Sequence, residues 1–171
     1  TDVFNQYVDI ATLGTIADVV PLLGENRVIV DKGLKILHNP KRIGIRAIME
    51  VAGVLDKPLN ASTIAFSIAP RLNAAGRLGS AATAVELLLT NDESRARELA
   101  LLLDTENKER QQTERQIFDE ALELIAKDPN FEKKKVIVLA QENWHQGVIG
   151  IVASRLCDMY YKPCILISHT N

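Results

Sequence analysis

Cysteine is scarce: only Cys157 and Cys164 occur in 171 residues, too few for the disulfide framework of a small secreted scaffold. Both lie in apolar surroundings, so a reduced, buried role is expected of them. No run of about 18 apolar residues occurs, which excludes a membrane-spanning helix, and no signal-peptide pattern opens the chain. Positive charge is not in excess either. Twenty Lys and Arg face 22 Asp and Glu, for a net charge of -2. A protein that grips nucleic acid by bulk charge is basic, so any such contact here must be local, made by a few cations in a groove. There is no Walker loop, no nucleophile elbow, no Cys/His cluster with metal spacing, no repeat and no low-complexity segment.

What is present is a core-forming chain, 47% hydrophobic. The pattern predicts a short helix through Ile10–Leu13, with a turn over 14–18. A helix capped by Asn26 follows over 27–38, ended by Asn39-Pro40. Another is expected over 43–54, and one over 62–69, capped by Ser62 or Asn60 and stopped by Pro70. Residues 70–80 read as loop, and a helix resumes over 81–89. Asp92 then caps a stretch without Gly or Pro up to Pro129, about 50 Å long if it is one helix. Its flanks are apolar and its middle, 104–116, is polar, as in a helix that bridges two lobes. Beyond it, the β-branched run 136–140, a loop, a helix over 147–161 and a second strand over 164–168 make a strand–helix–strand unit with parallel strands. Two strands do not stand alone. The fold class is therefore α/β, with a helical majority in residues 1–127. Thr1 is not an initiator Met, and the last apolar run stops just short of Asn171, so both ends read as cut from something longer.

Three places can carry chemistry. Asp18 sits among apolar or small neighbours, and a carboxylate buried there would need a partner, a hydrogen bond or a metal. Hard cations such as Mg²⁺ and Mn²⁺ favour such oxygens. A helix cap or Asx-turn is the structural alternative, and Asp9 upstream is a weaker candidate. In residues 69–77, Arg71, Asn73 and Arg77 stand among Ala and Gly. Arginine can clamp phosphate bidentately, and small neighbours admit a ligand; solvated surface arginines are the alternative. In residues 144–150, Trp144, His145 and Gly147 lie where a loop becomes a helix N-terminus, which favours an anion. His145 can donate a hydrogen bond or a proton, and Trp144 can stack on a base. Equally, Trp144 can be core and His145 a loop residue. Arg155 on the same helix reaches either the groove or solvent.

Taken together, these stretches resemble the RecJ family of the DHH phosphoesterase superfamily. YVDIATLGTIADVVPL (7–22) is similar to its fourth phosphoesterase motif, APRLNAAGRLGSA (69–81) to its mid-chain arginine motif, and WHQGVIGIVASRL (144–156) to the opening of its DHH-associated lobe. The resemblance implies a two-lobed enzyme: residues 1–91 the C-terminal part of the DHH lobe, 92–128 the connecting helix, and 129–171 the start of the DHH-associated lobe. It implies 5′→3′ hydrolysis of single-stranded DNA in repair and recombination, with two Mn²⁺ or Mg²⁺ ions activating water and stabilising the leaving oxygen. Asp18 is then a metal ligand and, with Arg77 and His145, catalytic. Arg71, Asn73, Arg77, Trp144, His145, Gly147 and Arg155 become substrate-binding residues. A cytoplasmic setting, and single-strand binding protein and a helicase as partners, are implied in the same way.

The departures from the family pattern are equally specific. The Asp-His-His motif and the upstream aspartates are absent and should precede Thr1. The later glycine-histidine motif should follow Asn171, and Gln146 stands where Glu is expected. One carboxylate cannot hold two metals, so these 171 residues alone are expected to be inactive. An oligoribonuclease or phosphatase of the same superfamily, and a catalytically dead single-strand-binding scaffold, remain open as alternatives.

Overall fold

The computed structural model describes residues 2–169. The chain divides into two compact units, Thr1–Asn107 and Lys108–Asn171, each built on its own core.

The first unit is helical. Helix α1 (Asp2–Ala17) runs through the segment expected to turn at Gly14. Val8, Thr12 and Ile16, with Asp9 and Leu13 beside them, form a buried stripe at helical spacing, and this packing outweighs the cost of about 1 kcal/mol for a glycine in the helix. Helix α2 (Gly24–Leu37) lies against α1. At Gly33 the two backbones come so close that a Cβ would lie 1.8 Å from Thr12 Oγ1. Asn26 does not cap α2. It sits in the first turn and donates from Nδ2 to the Pro21 carbonyl.

Helix α3 (Ile43–Val51) stops earlier than its periodicity suggests. Gly53 takes a positive φ of 67°, and Val54 N–H donates to the Met49 carbonyl while Gly53 N–H donates to Glu50. These paired bonds are the Schellman end that a left-handed glycine permits.

The largest departure follows. Asn60 accepts from Thr63 N–H at 2.8 Å and starts α4 (Ala61–Thr63), which passes into a π-helical turn (Ile64–Ile68) and then α5 (Ala69–Leu78). Pro70 therefore does not stop the helix, and residues 69–78 are helix, not loop. In the π turn Ala69 N–H donates to Ile64 O, five residues back. This resets the register so that Pro70 falls in the first turn of α5, where a missing N–H is tolerated. The buried Ile64, Ile68, Ala69, Ala74 and Ala75 give the run its inner face.

Helix α6 (Ala81–Leu89) is capped by Ser80, whose Oγ accepts from Ala82 N–H. It packs on α3 where a Cβ at Gly44 would lie 1.7 Å from the Leu87 carbonyl. Helix α7 (Glu93–Ala126) is a single helix of 34 residues, as its unbroken propensity implies, and Asp92 Oδ1 accepts from Arg95 N–H at 2.9 Å. Hydrogen bonds from Arg95 hold the Glu86 carboxyl below its ordinary pKa.

The second unit holds the rest of α7, a short 3₁₀ turn (Phe131–Lys133), β1 (Ile137–Glu142), α8 (Gln146–Tyr160) and β2 (Cys164–His169). The strands are parallel, in register from Ile137 opposite Cys164 to Glu142 opposite His169. This is the strand–helix–strand unit that the β-branched runs imply. Val148, Val152 and Leu156 form the buried stripe of α8. Cys157 and Cys164 are free and half-buried. Burial, and secondarily the neighbouring Cys157, push the Cys164 thiol up, so its thiolate is disfavoured.

Candidate nucleic-acid interface

Asp18 lies one residue beyond α1, its N–H donating to the Gly14 carbonyl at 3.0 Å. It is exposed, not buried. Its apolar neighbours Val19 and Leu23 are exposed as well, so apolar sequence around a carboxylate did not mean a buried carboxylate. Among the described residues its oxygens accept no hydrogen bond and enter no ion pair. Asp9, the weaker candidate, is buried and committed: its Oδ2 accepts from Arg42 Nε at 2.9 Å.

Helix geometry divides the arginine motif. Arg71 turns inward: Nε donates to Asp104 Oδ1 at 2.8 Å and Nη1 to the Ser67 carbonyl. The two side chains are 18% and 10% exposed. The guanidinium expected to contact substrate thus ties α5 to α7. Two and six residues further on, Asn73 and Arg77 are exposed. The motif thus presents a polar outer face on a rigid helix, anchored by an inward arginine.

In the second unit Trp144 is 4% exposed. Its Nε1 donates to Glu120 Oε2 at 2.7 Å, and its carbonyl accepts from Ser168 Oγ. It packs and anchors, and at this burial neither ring face is open to the base that Trp144 was expected to stack on. The anchor fixes the next residue, the N-cap of α8. His145 Nδ1 accepts from Gly147 N–H at 3.1 Å, and its carbonyl accepts from Val148 and Ile149 N–H. With Nδ1 an acceptor, the proton of the neutral ring resides on Nε2, leaving one donor on an exposed ring. The Gly147 amide, expected to hold phosphate, is engaged by this imidazole, so the helix start is capped from within. Arg155, expected to reach either the groove or solvent, donates to Glu114 Oε1 at 3.0 Å and lies 4.0 Å over the Phe118 ring centroid.

No group of three or more His, Cys, Asp or Glu is gathered for a metal among the described residues. A divalent pair does not fit Asp18 alone, and no chemical step through a metal follows from these residues by themselves.

Known proteins show what this arrangement resembles. The chain is 41% identical over 163 residues to the single-stranded-DNA-specific exonuclease RecJ of Bacillus subtilis, covering 95% of this chain and 20% of that protein. It is 45% identical over 171 residues to RecJ of Haemophilus influenzae, covering 98% and 30%. The crystal structure of RecJ in complex with Mn²⁺ from Thermus thermophilus superposes with a TM-score of 0.84 at 41% identity, over 96% of this chain and 24% of that one. The chain is RecJ-like along almost its whole length. It spans only 20–30% of the length of these curated relatives. Other RecJ structures hold Mg²⁺ or manganese. No protein-family model matches the sequence. The resemblance read from residues 7–22, 69–81 and 144–156 is borne out, as is the α/β architecture with its long helix. No helix is long and apolar enough to cross a membrane among the described residues.

Proposed function

We propose that these 171 residues are the central segment of a metal-dependent exonuclease that removes nucleotides from single-stranded DNA in the 5′→3′ direction, using Mn²⁺ or Mg²⁺, and that the segment alone is inactive. One observation carries the reading: the match, at 41% identity and a TM-score of 0.84, to a RecJ structure holding Mn²⁺. The geometry supports it. Asp18 is exposed and unengaged at a helix end, where it can supply one ligand to a metal held mainly by other segments. Asn73 and Arg77 offer donors to phosphate on an anchored helix, and His145 offers Nε2–H. In this reading residues 1–91 belong to the phosphoesterase lobe, 92–128 to the connecting helix and 129–171 to the second lobe. A cytoplasmic setting, with single-strand binding protein and a helicase as partners, belongs to the same proposal.

The test is digestion of 5′-labelled single-stranded DNA with Mn²⁺ by the full-length parent, its Asp18→Ala variant and the 171-residue chain. The parent should release nucleotides. The variant should lose about 100-fold or more, as befits a metal-site residue, and the chain alone should be inert. A parent that binds the strand and never cuts it would overturn the exonuclease reading in favour of a binding scaffold.

A further inference from the structure

Phe66 has no place in the chemistry described so far. It sits in the middle of the π-helical turn and is 82% exposed. Phenylalanine is ordinarily among the buried residues, and its neighbours Ile64 and Ile68 are fully buried. The helix itself determines what shares its face. Counting from Phe66, positions 70, 73 and 77 fall at helical spacings on one side, and the extra residue of the π turn rotates this stripe by only a fraction of a turn. The burial pattern agrees: Asn73 and Arg77 are exposed and Pro70 is half-exposed, while Ala69, Ala74 and Ala75 point inward. Ser62, one turn earlier, is exposed as well. The outer face of this helical run therefore reads Ser62, Phe66, Pro70, Asn73, Arg77: a hydroxyl, an aromatic ring, a flat apolar spacer, an amide and a guanidinium. Phe66 and Asn73 lie about 10 Å apart along the axis.

We propose that Phe66 is a stacking platform for a base of a single strand whose sugar–phosphate backbone lies along Asn73 and Arg77. The inference rests on the exonuclease reading and adds to it the residue that grips a base. The chemistry selects the occupant. A ring in line with an amide and a cation offers one apolar face and adjacent phosphate donors, the combination that single-stranded nucleic acid requires and that duplex DNA, with its bases already stacked, does not reward. An aromatic platform accepts every base, which suits an enzyme that must advance along any sequence. Because π turns are frequent at functional sites and Arg71 anchors the same run from inside, the ring is held on a rigid element.

The experiment uses the full-length parent with fluorescent single-stranded oligonucleotides carrying one abasic site at successive positions, bound without divalent metal and read by anisotropy. Wild type, Phe66→Leu and Phe66→Trp are compared, with nucleotide release by the wild type measured on the same preparation. Leucine keeps an apolar side chain and removes the ring, so a packing role survives it and a stacking role does not. The expected result is a loss of about 5- to 150-fold in affinity for Phe66→Leu and retained or tighter binding for Phe66→Trp. One abasic position should weaken the wild type and add nothing to Phe66→Leu. If every abasic penalty is the same in wild type and Phe66→Leu, Phe66 does not stack, even if both melt normally and the wild type still cuts. If Phe66→Leu lowers the melting temperature and weakens all oligonucleotides alike, the ring is a packing residue against the parent's own polypeptide, and the proposal is likewise overturned. Wild type that neither binds nor cuts single strands marks failure of the exonuclease reading instead.

Discussion

The helix of residues 69–78 and the start of α8 carry comparable motif chemistry and use it in opposite ways. In the first, the polar residues are sorted by helix phase: Arg71 is sealed inside on Asp104, and Asn73 and Arg77 face out. In the second, the polar groups satisfy one another. Trp144 holds Glu120, His145 holds the Gly147 amide, and Arg155 holds Glu114 over Phe118. One region sets its outer polar groups toward solvent on an anchored helix. The other is a network in which the Gly147 amide is already taken by an imidazole, whose exposed Nε2–H is the donor left facing out. A motif therefore does not reveal which of its residues face outward; the phase of the element that carries it does.

The sharpest way to break this comparison lies in the first region. Arg71→Ala should cost about 3 kcal/mol, because it removes one partner of a largely buried ion pair. Asn73→Ala, two residues away and exposed, should change stability by less than about 0.5 kcal/mol while weakening single-strand binding by the parent. Trp144 is the only tryptophan and lies in the second unit. In the 171-residue chain, Arg71→Ala should therefore lower the urea midpoint seen by helical circular dichroism more than the midpoint seen by Trp144 fluorescence. Equal stability losses for Arg71→Ala and Asn73→Ala would mean that the inward and outward roles assigned here are wrong.

Much of this architecture is legible in the residues, and the misreadings have physical causes. Asp92 and Asn60 cap the helices that the sequence offers them, because a short oxygen side chain just before a periodic run satisfies one of the first free N–H groups. The β-branched run 136–140 and the apolar run after Pro163 become paired strands. Pro70 misleads because its cost depends on register: in an ordinary helix interior it removes a bond, but after a π turn it stands at a fresh start. Asp18 misleads because apolar neighbours identify a face without saying whether this chain covers it, and Val19 and Leu23 are left open beside it. Trp144 follows its intrinsic tendency to be buried. Phe66 escapes notice because exposure is a tertiary property. The available signal was its spacing from Pro70, Asn73 and Arg77, and that spacing means nothing until residues 70–78 are known to be helix.

A smaller effect sharpens the second region. Trp144→Phe keeps the ring's apolar bulk and deletes the indole N–H, leaving the Glu120 carboxylate without that donor. The expected cost is about 1–2 kcal/mol, read by thermal circular dichroism. Adding Glu120→Leu should recover part of it, because removing both members of a polar pair costs less than removing one. An unaffected Trp144→Phe would mean that the Nε1–Oε2 bond contributes nothing and that the indole is free to leave its pocket, which would restore it as a stacking candidate.

The smallest effect separates capping from phosphate binding at His145. As N-cap, the imidazole Nδ1 satisfies the Gly147 N–H, so His145→Ala should cost about 1 kcal/mol and His145→Asn, which keeps a side-chain acceptor, only a fraction of that. Amide exchange at Gly147 is the local reading: about fivefold faster in the alanine variant for a loss of that size, and near wild type in the asparagine variant. Binding separates the second role. If the exposed Nε2–H also contacts a phosphate, His145→Asn should weaken single-strand binding by the parent while leaving exchange at Gly147 unchanged, because asparagine replaces the inward acceptor and not the outward donor. If His145→Asn restores both, the imidazole serves only to start α8, and His145 drops out as a phosphate contact of the parent.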